Sequence, residues 1–200
     1  TLGGSSSINA MLYIRGQKED YDHWAEIGNK GWSYNEVLPY FKATEHQERG
    51  EDAFHGVNGS LNVSDSRSKP KINNFFIAAA KACGFPMNQD FNGASQEGIG
   101  YYQVTQKNGL RFSSAKAFLT PNLPRPNLTV LTGINVNKIL IENKKAIGIN
   151  YQNRNKTIEL RANKEVIISA GAFHSPQLLM LSGIGEAEQL EENNIEVKQP

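Results

Sequence analysis

The chain has 200 residues, and Lys+Arg 21 against Asp+Glu 20 leave a formal charge of +1. That near-balance removes the electrostatic argument for a nucleic-acid or anionic-membrane partner, which would need a basic face or tract. Hydrophobic residues at 38% describe a globular chain, no run approaches the roughly 18 apolar residues of a membrane span, and a single cysteine, Cys83, excludes an internal disulfide.

The opening Thr1-Leu2-Gly3-Gly4-Ser5 carries no initiator Met, charged region or apolar targeting segment, and a diglycine this early reads as an interior feature. The chain is therefore expected to be an internal piece of a longer protein. Ser33-Tyr34-Asn35-Glu36 is a capping box that opens a helix expected to run to about Glu48, with Gly50 as its exit. Residues 49–71 read as loop with one short strand near Leu61–Val63. Asn73-Asn74 then caps a helix over 75–82 that Gly84 and Pro86 terminate. Glycines 93, 98 and 100 mark irregular structure leading into an edge strand over 100–106, and Ser113–Leu119 reads as a short helix stopped by Pro121.

After Pro126 the character changes. Leu128–Leu131, Val136–Glu142, Ala146–Tyr151 and Thr157–Arg161 form an antiparallel meander, with turns at 143–145 and 153–155. Glu165–Gly171 is a continuous apolar run of the kind found in strands buried on both faces. Helices follow over Pro176–Ser182, with Gly183 as the C′ residue, and over Glu186–Asn193, before a last strand.

Two stretches could carry chemistry. In Gly3-Gly4-Ser5-Ser6-Ser7-Ile8-Asn9, successive glycines permit positive φ and let a bulky group lie against bare backbone, while exposed N–H groups favour an anion. The run has no Lys and no G-x-G-x-x-G spacing, and a plain turn also fits it. In Gly171–Gly185 an apolar run ends in glycine and turns into a helix, the position where α/β sheets bind ligands; tight strand–helix packing also explains that glycine.

Together and in this order, the two stretches resemble the two signature motifs of the glucose–methanol–choline (GMC) family of FAD-dependent oxidoreductases. Gly3-Gly4-Ser5-Ser6, Asn9, Tyr13 and Arg15-Gly16 match the first signature. Gly171 to Gly185, with Ser175-Pro176 and Ser182-Gly183-Ile184-Gly185, matches the second. Tyr102–Gly109, Arg111, Ser113-Ser114-Ala115, Phe118-Leu119 and Arg125–Leu128 between them resemble the same family, and within it the choline- and alcohol-oxidising members.

The resemblance implies an α/β fold, α+β overall. It would comprise part of an FAD-binding Rossmann-like domain with a β-meander (residues 1–60 and 127–200) and part of a substrate-side domain (61–126). It implies cofactor contacts from Ser5 and Asn9 through polar groups, from Gly3, Gly4, Ala10 and Leu12 through backbone, from Val136 toward adenine, and from Ala170 and Gly171. Some relatives attach the flavin through a His where this chain has Ile8, so non-covalent FAD is expected. The implied reaction takes a hydride from a primary alcohol, choline or aliphatic, to flavin N5, with quinone or oxygen as the open choices of acceptor. The glycine fingerprint would precede Thr1, and the catalytic His pair would follow Pro200. A cytoplasmic location is expected, with the inner-membrane surface open to quinone-linked members.

None of His23, His46, His55 and His174 occupies a catalytic position of the family. His46 and His55, near Glu45 and Glu48, match no metal-ligand spacing and read as a solvated helix end and loop. The rival readings are an inactive flavin-binding fragment and a hydrolase using Ser5, Ser6 or Ser7, the latter without a G-x-S-x-G elbow.

Overall fold

The computed structural model describes residues 1–200, and the chain forms two compact units, Thr1–Leu128 and Thr129–Pro200. Both helices and strands are present, and no helix is long and apolar enough to cross a membrane.

In the first unit, α1 (Lys18–Glu26) and α2 (Tyr34–Thr44) are each opened by a capping box. Gln17 N–H donates to Asp20 Oδ2 at 2.8 Å, and Ser33 N–H donates to Glu36 Oε2 at 3.1 Å, so a carboxylate satisfies an otherwise orphaned donor at each N-terminus. Aromatic contacts join the two helices, with Tyr21 of α1 edge-on to Phe41 and tilted against Tyr34 of α2. The sequence expectation carried α2 to Glu48 and left α1 unassigned. Instead α2 stops at Thr44, whose hydroxyl bonds back to the Tyr40 and Phe41 carbonyls. The next three residues are strand β1 (Glu45–Gln47), with Glu45 and Gln47 buried and His46 exposed in a period of two.

β1 pairs in parallel with β2 (Leu61–Asp65), and β2 pairs antiparallel with β3 (Gln103–Val104). Helix α3 (Lys71–Ala82) starts after Pro70, so Asn73 and Asn74 lie inside it and do not cap it. Proline presets the helical entry without needing its missing N–H, which moves the start forward. The expected edge strand over 100–106 is reduced to β3 and to β4 (Gln106–Lys107), the latter paired with β5 (Leu110–Arg111). Ala115–Leu119 forms a π-helical turn that passes directly into a 3-10 turn over Thr120–Asn122, so Pro121 sits within a turn and does not end one. Val63, Val104 and Ala117 are the tightest apolar core of this unit.

In the second unit, β6 (Asn135–Glu142), β7 (Lys145–Asn153) and β8 (Lys156–Arg161) form the expected meander in the order β6-β7-β8. Asn143 and Lys144 both take positive φ, the twist a two-residue hairpin needs. Leu128–Leu131 forms no strand. Glu165–Gly171 also forms none: no strand in the 200 residues pairs with it, and Ile167 is 77% exposed. Burial on both faces needs neighbours on both sides, and an apolar composition cannot create a ladder without them.

Helix α4 spans Gly171–Leu181, five residues longer at its N-terminus than expected, with Pro176 inside it. The carbonyl deprived of its partner there belongs to exposed Ala172, where water can satisfy it. Gly183, at φ +87, closes α4 in a Schellman motif: its N–H donates to the Met180 carbonyl, and Ile184 N–H donates to that of Leu179. Asn194 closes α5 (Ala187–Glu192) the same way. The last expected strand is reduced to a single bridge, Ile184 to Gln199.

Candidate functional site

The Gly3–Leu12 segment is a surface loop pinned from below. Gly3, at φ +90, leads into one 3-10 turn, Gly4–Ser7. A Cβ on Gly3 would lie 2.5 Å from Ser7 Oγ and 3.3 Å from Ala115 Cβ, so both the turn and the neighbour demand glycine. Ser114 holds the turn twice: its Oγ donates to the Gly3 carbonyl at 3.1 Å, and its N–H donates to Ser6 Oγ at 3.0 Å. Asn9 Oδ1 accepts the Met11 N–H at 3.1 Å, an Asx turn that supports Met11 at a φ of 63. Beyond it, Tyr13 N–H donates to the Gln103 carbonyl and Thr105 N–H to that of Met11, fastening the loop to β3.

The outer surface stays free. Gly4, Ser5, Ile8, Asn9, Ala10 and Leu12 are exposed, and nothing lies within 4 Å of a Cβ built on Gly4. Six of the nine expected cofactor residues (Gly3, Gly4, Ser5, Asn9, Ala10 and Leu12) thus belong to this one loop of the first unit.

The other three belong to the second unit. Val136 lies on β6, an edge strand, opposite Tyr151 and beside a bulge. Ala170 caps α4 and donates its N–H to Ser175 Oγ at 3.1 Å. Gly171 follows at φ +87, exposed and with open space around it.

Sequence reasoning missed a buried ionic cluster below the loop. Arg15, 7% exposed, directs Nη2 to Glu45 Oε2 at 2.7 Å and Nη1 to the Phe54 carbonyl at 2.8 Å. Its backbone N–H donates to Asn92 Oδ1, and Asn92 Nδ2 donates to the Tyr13 carbonyl. His55, expected to be solvated, is 3% exposed: Nδ1 lies 3.0 Å from Glu45 Oε1, and Nε2 lies 2.9 Å from Asp90 Oδ2.

Burial, the largest influence on His55, works against its charge. Hydrogen bonds and Coulombic attraction from Asp90 and Glu45 outweigh it and raise the ring to about 9. Asp90 is also opposed by burial, and its bonds to His55 and to the Asn92 N–H nevertheless hold it below the ordinary carboxylate value. Asp52 meets this cluster only through the backbone, its Oδ1 accepting the Phe54 and His55 N–H groups, while both ring nitrogens of His55 face the carboxylates of Glu45 and Asp90. Only Arg15 carried a sequence signal. Glu45, His55 and Asp90 come from separate elements with no diagnostic spacing.

The serine reading loses its geometry here. Ser6 Oγ is engaged with Gly3 and Ser114, Ser7 Oγ donates to the Leu2 carbonyl, and none of the three hydroxyls bonds a histidine. His23, His46 and His174 are exposed.

Residues 1–196 match the family described as GMC oxidoreductase. The chain is 47% identical over 197 residues to an oxygen-dependent choline dehydrogenase of Sinorhizobium medicae (strain WSM419), covering 98% of this chain and 36% of that protein. It is 46% identical over 198 residues to an alcohol dehydrogenase [acceptor] of Pseudomonas putida, with the same coverage of each chain. An FAD-dependent oxidoreductase from Chaetomium thermophilum superposes with a TM-score of 0.91 at 32% identity, covering 98% of this chain and 36% of that one. Pyridoxine 4-oxidase from Mesorbium loti does so at 0.90 and 32%, covering 98% and 39%. The chain spans 36% of the length of the curated relatives it matches, and by its match over residues 1–196 it belongs to the GMC oxidoreductase family.

Proposed function

We propose that this chain is the cofactor-holding part of an FAD-dependent oxidoreductase that oxidises a primary alcohol, choline or an aliphatic alcohol, to the aldehyde. The observation that carries the reading is the surface loop Gly3–Leu12, exposed at Gly4, Ser5, Ile8, Asn9, Ala10 and Leu12, within a chain that matches the family over residues 1–196. Bound FAD supplies the redox chemistry by accepting a hydride at N5.

The residues present fit that group. Gly3 sets the tight turn that leaves Gly4 with bare, exposed backbone, Ser5 and Asn9 add polar side chains, and Ala10 and Leu12 offer main-chain contacts beside them. Val136 on its edge strand offers backbone groups to an adenine edge, and Ala170-Gly171 offers an uncrowded helix start. Ile8 has no nucleophilic atom, so FAD is held without a covalent bond. Residues 1–60 and 127–200 serve the FAD-binding domain and 61–126 the substrate side, while proton transfer from the alcohol falls to histidines outside this chain.

The test uses the full-length protein under anaerobic conditions, with choline and with 1-alkanols of increasing length. Bleaching of the visible flavin band by one of these alcohols is expected. Re-oxidation by oxygen or by a soluble quinone then identifies the acceptor. A full-length protein that carries no flavin, or whose flavin neither class of alcohol reduces, overturns the reading.

A further inference from the structure

One side chain holds the loop from a distance and has no part in the function just described. Arg111, at the end of β5, directs Nη1 to two acceptors of the loop, the Ser6 carbonyl at 3.0 Å and Asn9 Oδ1 at 2.7 Å. The Met11 N–H donates to that same Oδ1 at 3.1 Å. Lys116 Nζ in turn donates to the Arg111 carbonyl, which anchors the residue from its own backbone.

These partners decide the orientation of the Asn9 carboxamide. A guanidinium has only donors, and so does a backbone N–H. The atom facing both must therefore be the amide oxygen, because turning the group over would set two donors against NH2. The amide nitrogen bonds nothing within the chain, and Asn9 is exposed. Two N–H donors consequently point away from the protein at a fixed place on the loop.

We infer that Arg111 is a positioning residue that locks Asn9 so that its amide N–H groups meet an acceptor oxygen of FAD, in the pyrophosphate or in the flavin ring. The inference rests on the reading of Gly3–Leu12 as the FAD loop. It makes Asn9 a selector for acceptors and gives Arg111 a role without contact to the cofactor.

Asn9→Asp separates this role from a merely structural one. Aspartate keeps an oxygen for Arg111 and Met11, so the loop and the melting temperature of the full-length apoprotein should hold. Its second oxygen replaces the NH2 and sets an acceptor against the cofactor's acceptor, with no N–H to bridge them. The dissociation constant for FAD, read by quenching of flavin fluorescence, should rise about tenfold or more. Arg111→Met frees the carboxamide to rotate and should weaken FAD several-fold. Arg111→Lys, still a cation able to donate to both acceptors, should recover much of that loss.

ADP, which carries the pyrophosphate without the flavin, identifies the acceptor. A parallel loss of ADP affinity in Asn9→Asp assigns the pyrophosphate, and an unchanged ADP affinity assigns the flavin ring. Wild-type protein that binds FAD while Asn9→Asp binds it equally tightly overturns the inference alone. Wild-type protein that binds no FAD overturns the reading of the loop, and the inference with it. Should Asn9→Asp fail to fold, an Arg111→Met protein with wild-type affinity for FAD overturns the inference.

Discussion

At Gly3 two constraints coincide: the left-handed φ of +90, and Ser7 Oγ standing 2.5 Å from where a Cβ would be built. Either alone is modest. A left-handed conformation costs a non-glycine residue about 1–2 kcal/mol, and a serine hydroxyl can ordinarily rotate away. Here the Ser7 hydroxyl is committed to the Leu2 carbonyl at 2.8 Å, so moving it also breaks a hydrogen bond. Gly3→Ala should therefore lose at least that 1–2 kcal/mol, enough to lower FAD affinity about fivefold to thirtyfold if the loop alone absorbs it. Gly4→Ala is the control. Its φ is +52 but nothing surrounds the added methyl, so the loss should be smaller in the same FAD titration of the full-length protein. A diglycine that tolerates alanine equally at both positions would show that the turn is set elsewhere. The importance of glycine here was readable from the sequence; Ala115 and Ser113 as its neighbours were not, since only folding brings them across.

The elements that local rules specify form largely where those rules place them. The Ser33–Glu36 box starts α2 at Tyr34, the turns at 143–145 and 153–155 set the meander, and Gly183 ends α4. The strands that did not form share one cause. Glu165–Gly171 and Leu128–Leu131 were assigned from composition alone, and a strand needs a partner that composition does not supply. The end of α2 was lost because Glu45 and Gln47 look like surface residues until β2 covers them.

Ser182 shows how a helix end becomes a tertiary contact. It is 4% exposed, its Oγ accepts the Ile139 N–H of β6 at 2.8 Å, and its hydroxyl donates to the Leu178 carbonyl. Ser182→Ala leaves a buried backbone N–H with no partner, at a cost of about 1–3 kcal/mol. Chemical denaturation of the full-length protein should show that loss, and Ser182→Thr, which retains the hydroxyl, should lose less.

At the scale of the first unit, two cations and two carboxylates, Arg15, His55, Glu45 and Asp90, join segments that the sequence keeps far apart. The family's first signature ends at Arg15 and Gly16, so the exposed loop and the buried cluster are consecutive stretches of one chain segment. The cofactor half of that segment was legible from glycine, serine and asparagine. The ionic half was not, because its partners belong to β1, to the loop after it and to the turn at Asp90. Removing one member leaves the opposite charge buried and unpaired, so Glu45→Gln should destabilise by about 3–5 kcal/mol.

The cluster also sets a pH limit. His55 titrates at about 9 here against an ordinary value of 6.5, so the folded state binds its proton more tightly than the unfolded state does. The stability this provides is complete below about 6.5 and declines as pH rises toward and through 9. Asp90, held below its ordinary 3.8, contributes in the opposite direction, and its share disappears only as pH falls below that value. Thermal unfolding of the full-length protein between pH 6 and 10 should therefore show a falling melting temperature on the alkaline side. In His55→Gln, already less stable at pH 7, that slope should flatten, because glutamine keeps hydrogen-bonding capacity but has no proton to lose. An unchanged alkaline slope in that variant would assign the decline to another group.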